Sequence, residues 1–138
     1  MIQRLQSLWL LIAATFIFLT YTLPFFSGTI TKEDSMQFEK LNASYSFIPL
    51  VLTAILGVGC VIIIFLFRNR KLQLRLTILA CAVSILNIVI YFSEMRKFTN
   101  GSLSFTAILY FAIPVLFILA AISIRKDEKL VKSMDQLR

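Results

Sequence analysis

Four long apolar runs, separated by short polar stretches, dominate the pattern of this 138-residue chain. The runs are Leu8–Phe26, Tyr45–Phe67, Leu76–Phe92 and Leu103–Ile124, and none has an ionised side chain in its middle. A bilayer core of about 30 Å needs roughly 20 apolar residues in a helix that rises about 1.5 Å per residue. Runs of 17 to 23 residues therefore predict four membrane-spanning helices, packed as an all-α four-helix bundle.

The end of the chain extends the fourth run as a polar helix. Beyond residue 124 the helical spacing places Leu130, Met134 and Leu137 on one side, with charges of both signs around them. The pattern predicts a transmembrane domain over residues 1–124 and a cytoplasmic amphipathic tail helix over residues 125–138. Such a tail can lie along anionic lipid headgroups or dock on a protein, and the mixed charge beside the apolar stripe favours docking on a protein. The expected docking residues are Arg4, Arg125, Lys126, Leu130, Met134 and Leu137.

Both predicted outer loops contain strand-like patterns. Residues 29–31 and 36–39 flank a polar turn, and Asn100-Gly101, the strongest short hairpin signal, separates residues 97–99 from 102–104. We expect these hairpins to form a small extracytoplasmic β-hairpin cap over the helices. Irregular loops are the alternative, because an isolated two-stranded hairpin is only marginally stable.

Basic residues are distributed unevenly between the two ends of the predicted bundle. Ten of the 14 fall on one end, whereas the four at the other end are offset by four acids. Because a Lys/Arg excess stays in the cytoplasm, both termini and the middle loop are expected there. The ten are Arg4, Arg68, Arg70, Lys71, Arg75, Arg125, Lys126, Lys129, Lys132 and Arg138.

Composition agrees with a membrane protein. Apolar residues make up 59% of the chain, and the mean hydropathy is +0.86. The net charge of +7 then reflects membrane topology. Nucleic-acid binding would need a basic patch on a folded polar domain, and no segment of this chain is suited to form one.

The predicted membrane interior lacks the residues that chemistry needs. There is no histidine to serve as a haem ligand, a general base or a zinc ligand. The two cysteines, Cys60 and Cys81, lie inside spans without a C-x-x-C motif, and the first span has no carboxylate of the kind that small multidrug transporters use. The sequence therefore predicts no catalytic, metal or cofactor site.

Small and polar residues on the two central spans indicate helix packing. Ala80, Ser84 and Asn87 share one face of the third span, and Thr53 and Gly57 repeat the small spacing in the second. Small residues four apart let helices approach closely, and an Asn amide can hydrogen-bond across the interface. These five residues are the predicted contact faces.

The two ends of the chain also carry a family resemblance. The residues concerned are Met1-Ile2-Gln3-Arg4 with Gln6, and Ile124 to Val131 with Ser133, Asp135 and Leu137-Arg138. In these residues the chain resembles the DUF4293 family, a domain of unknown function in small four-pass proteins of Bacteroidota. The resemblance implies a bacterial inner-membrane protein and carries over no activity and no catalytic residue.

Three functional hypotheses follow. The leading one is a non-enzymatic accessory or scaffolding subunit of a larger membrane complex, with other integral membrane proteins as partners. The second is a small oligomeric transporter or channel whose pathway is built from Ser84, Asn87 and Tyr91. The third is a surface site for lipid chemistry, which would need Glu94, Arg96 and Lys97.

Overall fold

The computed structural model describes residues 3–137, and the side chains of residues 5–137. This part of the chain contains four helices and a three-stranded antiparallel sheet. The helices are α1, Gln3–Leu19; α2, Phe47–Phe65; α3, Arg70–Met95; and α4, Ala107–Gln136. The strands are β1, Phe26–Lys32; β2, Ser35–Leu41; and β3, Asn100–Leu103.

The helices pack as a bundle in which α1 and α3 each contact both α2 and α4. Successive helices run in opposite directions, and the link between α2 and α3 is the short one typical of antiparallel neighbours. The end formed by residues 66–75 and 125–137 is called the basic end. The opposite end, formed by residues 20–46 and 96–106, is called the sheet end.

Apolar side chains cover both the inside and the outside of the bundle. The interior holds buried residues from every helix, such as Leu10, Leu56, Ala80 and Phe117. Many other leucine, isoleucine and valine side chains on the outer faces are exposed, for example Ile55, Val58, Leu79, Ile85 and Ile118. A helix that is apolar all round is typical of a membrane span. α2, α3 and α4 are each long and apolar enough to cross a membrane, which indicates a multi-pass membrane protein.

The first predicted span is shorter than expected. α1 ends at Leu19, and residues 20–25 form turns that lead into β1, although the apolar run continues to Phe26. Pro24 lacks a backbone N–H and restricts the residue before it. The carbonyl groups beyond the end of α1 have partners from other segments. The Tyr110 hydroxyl lies within hydrogen-bond distance of the carbonyl oxygens of Thr20 (3.0 Å) and Leu23 (2.7 Å), and the Ala43 N–H donates to the Thr20 carbonyl at 3.0 Å.

The other helices also differ from their predicted bounds. α3 begins at Arg70 rather than at residue 76, so the link between α2 and α3 has four residues, 66–69. α4 begins at Ala107 because Leu103 belongs to β3, and it continues without a break to Gln136. The tail therefore continues the fourth helix, as its spacing predicted.

One of the two predicted hairpins forms. β1 pairs with β2 through a two-residue turn, Glu33-Asp34, and both residues have positive φ (46° and 63°). Positive φ at both positions is the geometry of the tight turns that match strand twist. Across the strands Lys32 Nζ lies 2.6 Å from Glu39 Oε1, and this hydrogen bond raises the pKa of Lys32.

The prediction of a second hairpin is wrong. Asn100-Gly101 is not a turn but part of β3, which pairs antiparallel with β1 and places Gly101 opposite Gly28. A Cβ added at Gly101 would lie 2.6 Å from both Phe26 Cε1 and the Ser27 carbonyl oxygen. Gly101 is therefore needed for close strand approach rather than for turn geometry.

Aromatic side chains fix the sheet to the bundle. Phe25 is fully buried, with ring-centroid distances of 5.2 Å to Tyr91, 5.1 Å to Tyr110 and 5.6 Å to Phe92. Edge-on and offset ring pairs at these distances add to the free energy of simple burial. Phe25 thus connects the segment before β1 to α3 and α4.

Candidate functional site

The predicted packing residues lie mostly inside the bundle. Asn87 Nδ2 donates to Thr53 Oγ1 at 3.2 Å, which joins α3 to α2, and Ser84 Oγ donates to the Cys81 carbonyl at 2.7 Å. Ala80 is also buried. Gly57 instead faces α1, because a Cβ added there would lie 3.5 Å from Ile17 Cγ2. Thr53, Ser84 and Asn87 come together, whereas Gly57 serves a different helix pair.

A small polar cavity lies beside these residues, towards the sheet end. Ser84, Asn87 and Tyr91 line it together with Tyr110 and Thr20, and it has room for about one water molecule. Among the described atoms, Asn87 Oδ1 has no hydrogen-bond partner. Ser84, Asn87 and Tyr91 are all buried within the bundle.

A second polar cluster lies inside the basic end, and sequence reasoning missed it. Arg70 Nη1 lies 3.4 Å from Asp127 Oδ2 and donates to the Asp127 carbonyl at 3.2 Å. Gln73 is fully buried and donates from Nε2 to the Ile63 carbonyl at 3.1 Å. The sequence could have indicated that Asp127 is buried, because Asp127 follows Ala120 and Ile124 at helical spacing on the same face of α4.

The tail beyond this cluster is exposed. Asp127 is the last buried residue of α4, and every residue from 129 to 137 is exposed although the helix continues to Gln136. Met134 and Leu137 expose 69% and 89% of their surface, and Leu130 exposes 46%. Arg125 and Lys126 are exposed as well, whereas the side chain of Arg4 lies outside the described residues.

The candidate lipid-chemistry residues form a simple ion pair. Glu94 is buried and its Oε2 lies 2.8 Å from Lys97 Nζ, while Arg96 is exposed beside them. The hydrogen bond to Glu94 raises the pKa of Lys97. This pair between residues three apart in sequence stabilises the end of α3.

The described residues contain no group of three or more His, Cys, Asp or Glu side chains that could hold a metal ion. Cys60 and Cys81 are separate free thiols. Cys60 Sγ donates to the Leu10 carbonyl at 3.1 Å, and Cys81 Sγ to the Pro114 carbonyl at 3.7 Å. Each cysteine therefore contributes to packing between helices.

Comparison with protein families identifies the family of this chain. The family model described as "Domain of unknown function (DUF4293)" matches residues 2–137, which is nearly the whole chain. No curated protein and no solved structure matches. The family expected from the terminal residues is thus confirmed.

Proposed function

Because the chain belongs to the DUF4293 family, whose function is unknown, we propose a function from its own structure. We propose that it is a non-enzymatic accessory or scaffolding subunit of a larger protein complex in the bacterial inner membrane. Its partners are other integral membrane proteins. The bundle anchors the subunit, and the exposed end of α4 binds the partner.

The exposed end of α4 is the observation that carries this proposal. Nine helical residues, 128–136, extend past Asp127, a distance of about 13 Å at about 1.5 Å per residue. A helix that presents Leu130 and Met134 to solvent is suited to lie against an apolar groove of another protein.

The polar interior supports a structural role for the bundle. Asn87 and Thr53 hydrogen-bond to each other, and the Arg70–Asp127 pair lies at one end of the bundle rather than along a path through it. Proton relays and ion paths need ionisable groups at depth. The interior polar groups instead link neighbouring helices, as polar residues do between membrane spans.

The proposal includes four membrane passes with both termini in the cytoplasm. α1 supports this count because it packs beside α2 and α4 within the same bundle, although it is only 17 residues long. The basic end holds most of the Lys and Arg residues, which favours its cytoplasmic location. Alkaline phosphatase fused after Arg138 should be inactive and fusion near Lys40 should be active. The reverse pattern of activity would contradict the topology.

Changing the exposed apolar face of the tail should release the partner. In the double variant Leu130→Asp, Leu137→Asp, we expect co-purifying proteins to be lost from mild-detergent extracts, because two carboxylates cannot enter an apolar groove without a large desolvation cost. The bundle should remain inserted, since both side chains lie beyond its buried residues. Quantitative mass spectrometry of affinity-purified protein measures the loss.

The matched control places two acids elsewhere on the tail. Lys129→Asp with Gln136→Asp alters the charge by even more but leaves Leu130, Met134 and Leu137 in place. This control should keep the co-purifying proteins. If both double variants recover the same proteins as the parent chain, the end of α4 is not the docking element.

A further inference from the structure

We propose that the crevice between α3 and α4 binds one anionic phospholipid, with the phosphate headgroup at the basic end and an acyl chain between the helices. This site is distinct from the exposed apolar face of the tail. It rests on the residues that line the crevice and not on the proposed accessory function.

The headgroup would lie in a groove between the start of α3 and the end of α4. The groove carries five basic side chains and a single acid, Glu128. The five bases are Arg68, Arg70, Lys71, Arg75 and Lys132. Such basic pockets between membrane helices suit the phosphate groups of lipids.

Three of the five bases are available to a ligand. Arg70 pairs with Asp127, and Lys132 Nζ lies 3.6 Å from Glu128 Oε1. Among the described residues, Arg68, Lys71 and Arg75 form no ion pair, and all three are exposed. The side chain of Asn69 makes no cap hydrogen bond at the start of α3, so the helix dipole adds further positive potential there.

The groove continues into an apolar crevice between the same two helices. Lys71, Arg75, Ile78, Ala82 and Ile85 follow one another at helical spacing on α3, and all are exposed. The facing side of α4 has the spacing Lys132, Glu128, Arg125, Ala121 and Ile118. Ile78, Ala82, Ile85, Ile118, Ala121 and Arg125 line the crevice together. The small side chains Ala82 and Ala121 leave room for an acyl chain between the two helices.

The dimensions match one leaflet of a bilayer. Ile85 lies ten residues beyond Arg75, a distance of about 15 Å along α3 at about 1.5 Å per residue. That distance is half of a hydrocarbon core of about 30 Å. The residues that line the site therefore change from charged to apolar at the depth where a phospholipid changes from headgroup to acyl chain.

The walls of the groove favour a lipid over a free anion. Leu72 and Val131 line the groove beside the bases and expose 46% and 40% of their surface. A free phosphate would leave these apolar side chains in water, whereas the glycerol and first methylenes of a phospholipid would cover them.

Native mass spectrometry of the full chain in mild detergent tests the site, with phosphatidylglycerol as the probe. The parent chain should retain one phosphatidylglycerol in preference to phosphatidylcholine. The variant Lys71→Gln, Arg75→Gln should bind it about 25-fold more weakly, because each base near an anionic headgroup contributes about fivefold. Lys40→Gln with Arg96→Gln removes the same charge at the sheet end and should bind normally.

A second pair of variants tests the acyl part independently of charge. Ala82→Phe should fill the crevice and weaken retention, whereas Ala54→Phe, at an exposed position of α2, should not. Equal retention by all four variants would overturn the proposal. It would also be overturned if inorganic phosphate raised the thermal stability as much as phosphatidylglycerol, or if the crevice variants lost a bound protein while keeping the lipid.

Discussion

Replacing Phe25 with Ala should lower the free energy of unfolding by about 3–5 kcal/mol, the usual range when a buried phenylalanine is truncated in a core. Phe25 has no exposed surface and contacts the rings of Tyr91 and Tyr110. Neighbouring helices cannot close the resulting cavity without moving the segment that leads into β1. Reversible unfolding in a mixed detergent series would measure the change.

Phe105→Ala is the matched control for this measurement. Phe105 also lies at the sheet end, but 93% of its surface is exposed, so its truncation should change the unfolding free energy by less than about 1 kcal/mol. Equal losses in the two variants would show that Phe25 does not join the sheet to the helices.

Replacing Arg70 with Leu should cost about 3 kcal/mol, because it leaves the Asp127 carboxylate without its partner at a site that is 6% exposed. This cost lies at the low end of the range for breaking a buried ion pair, because 21% of the Arg70 side chain is exposed. The double variant Arg70→Leu, Asp127→Leu should recover most of this loss, because it removes both charges from the interior. The same unfolding experiment measures both.

Lys132→Leu provides the control for ion pairing. It breaks the pair with Glu128, in which Lys132 is 69% exposed, and exposed pairs contribute less than about 1 kcal/mol. If Arg70→Leu costs no more than Lys132→Leu, the Arg70–Asp127 pair does not hold α3 to α4.

Sequence reasoning predicted the elements whose cause is local. Long apolar runs indicated the helices, and the polar turn at Glu33-Asp34 indicated the hairpin of β1 and β2. The family could be recognised from the terminal residues, and the family model that matches residues 2–137 includes both ends of the chain.

The errors lie where distant residues decide the local structure. Leu19 ends α1 although the apolar run continues, because Tyr110 supplies hydrogen bonds to the carbonyls after it from 90 and 87 residues away. Asn100-Gly101 has the pattern of a turn, but Gly101 pairs with Gly28 of β1. The hydropathy of the chain cannot show that these two distant segments lie side by side.

The candidate site shows the same division. The apolar face of Leu130, Met134 and Leu137 follows from spacing along one helix, so the sequence alone could identify it. The Arg70–Asp127 pair joins residues 57 apart, and the crevice between α3 and α4 needs both helices in register. Neither can be read from one segment.

Photo-cross-linking from Met134 tests the central claim most directly. A photoreactive amino acid at this position, 69% exposed on the end of α4, should yield one discrete cross-linked membrane protein in intact cells. The same reagent at Ile78, in the crevice between α3 and α4, should not yield that protein. Cross-links from Met134 to lipid alone, or a protein pattern identical to that from Ile78, would contradict a docking role for the tail.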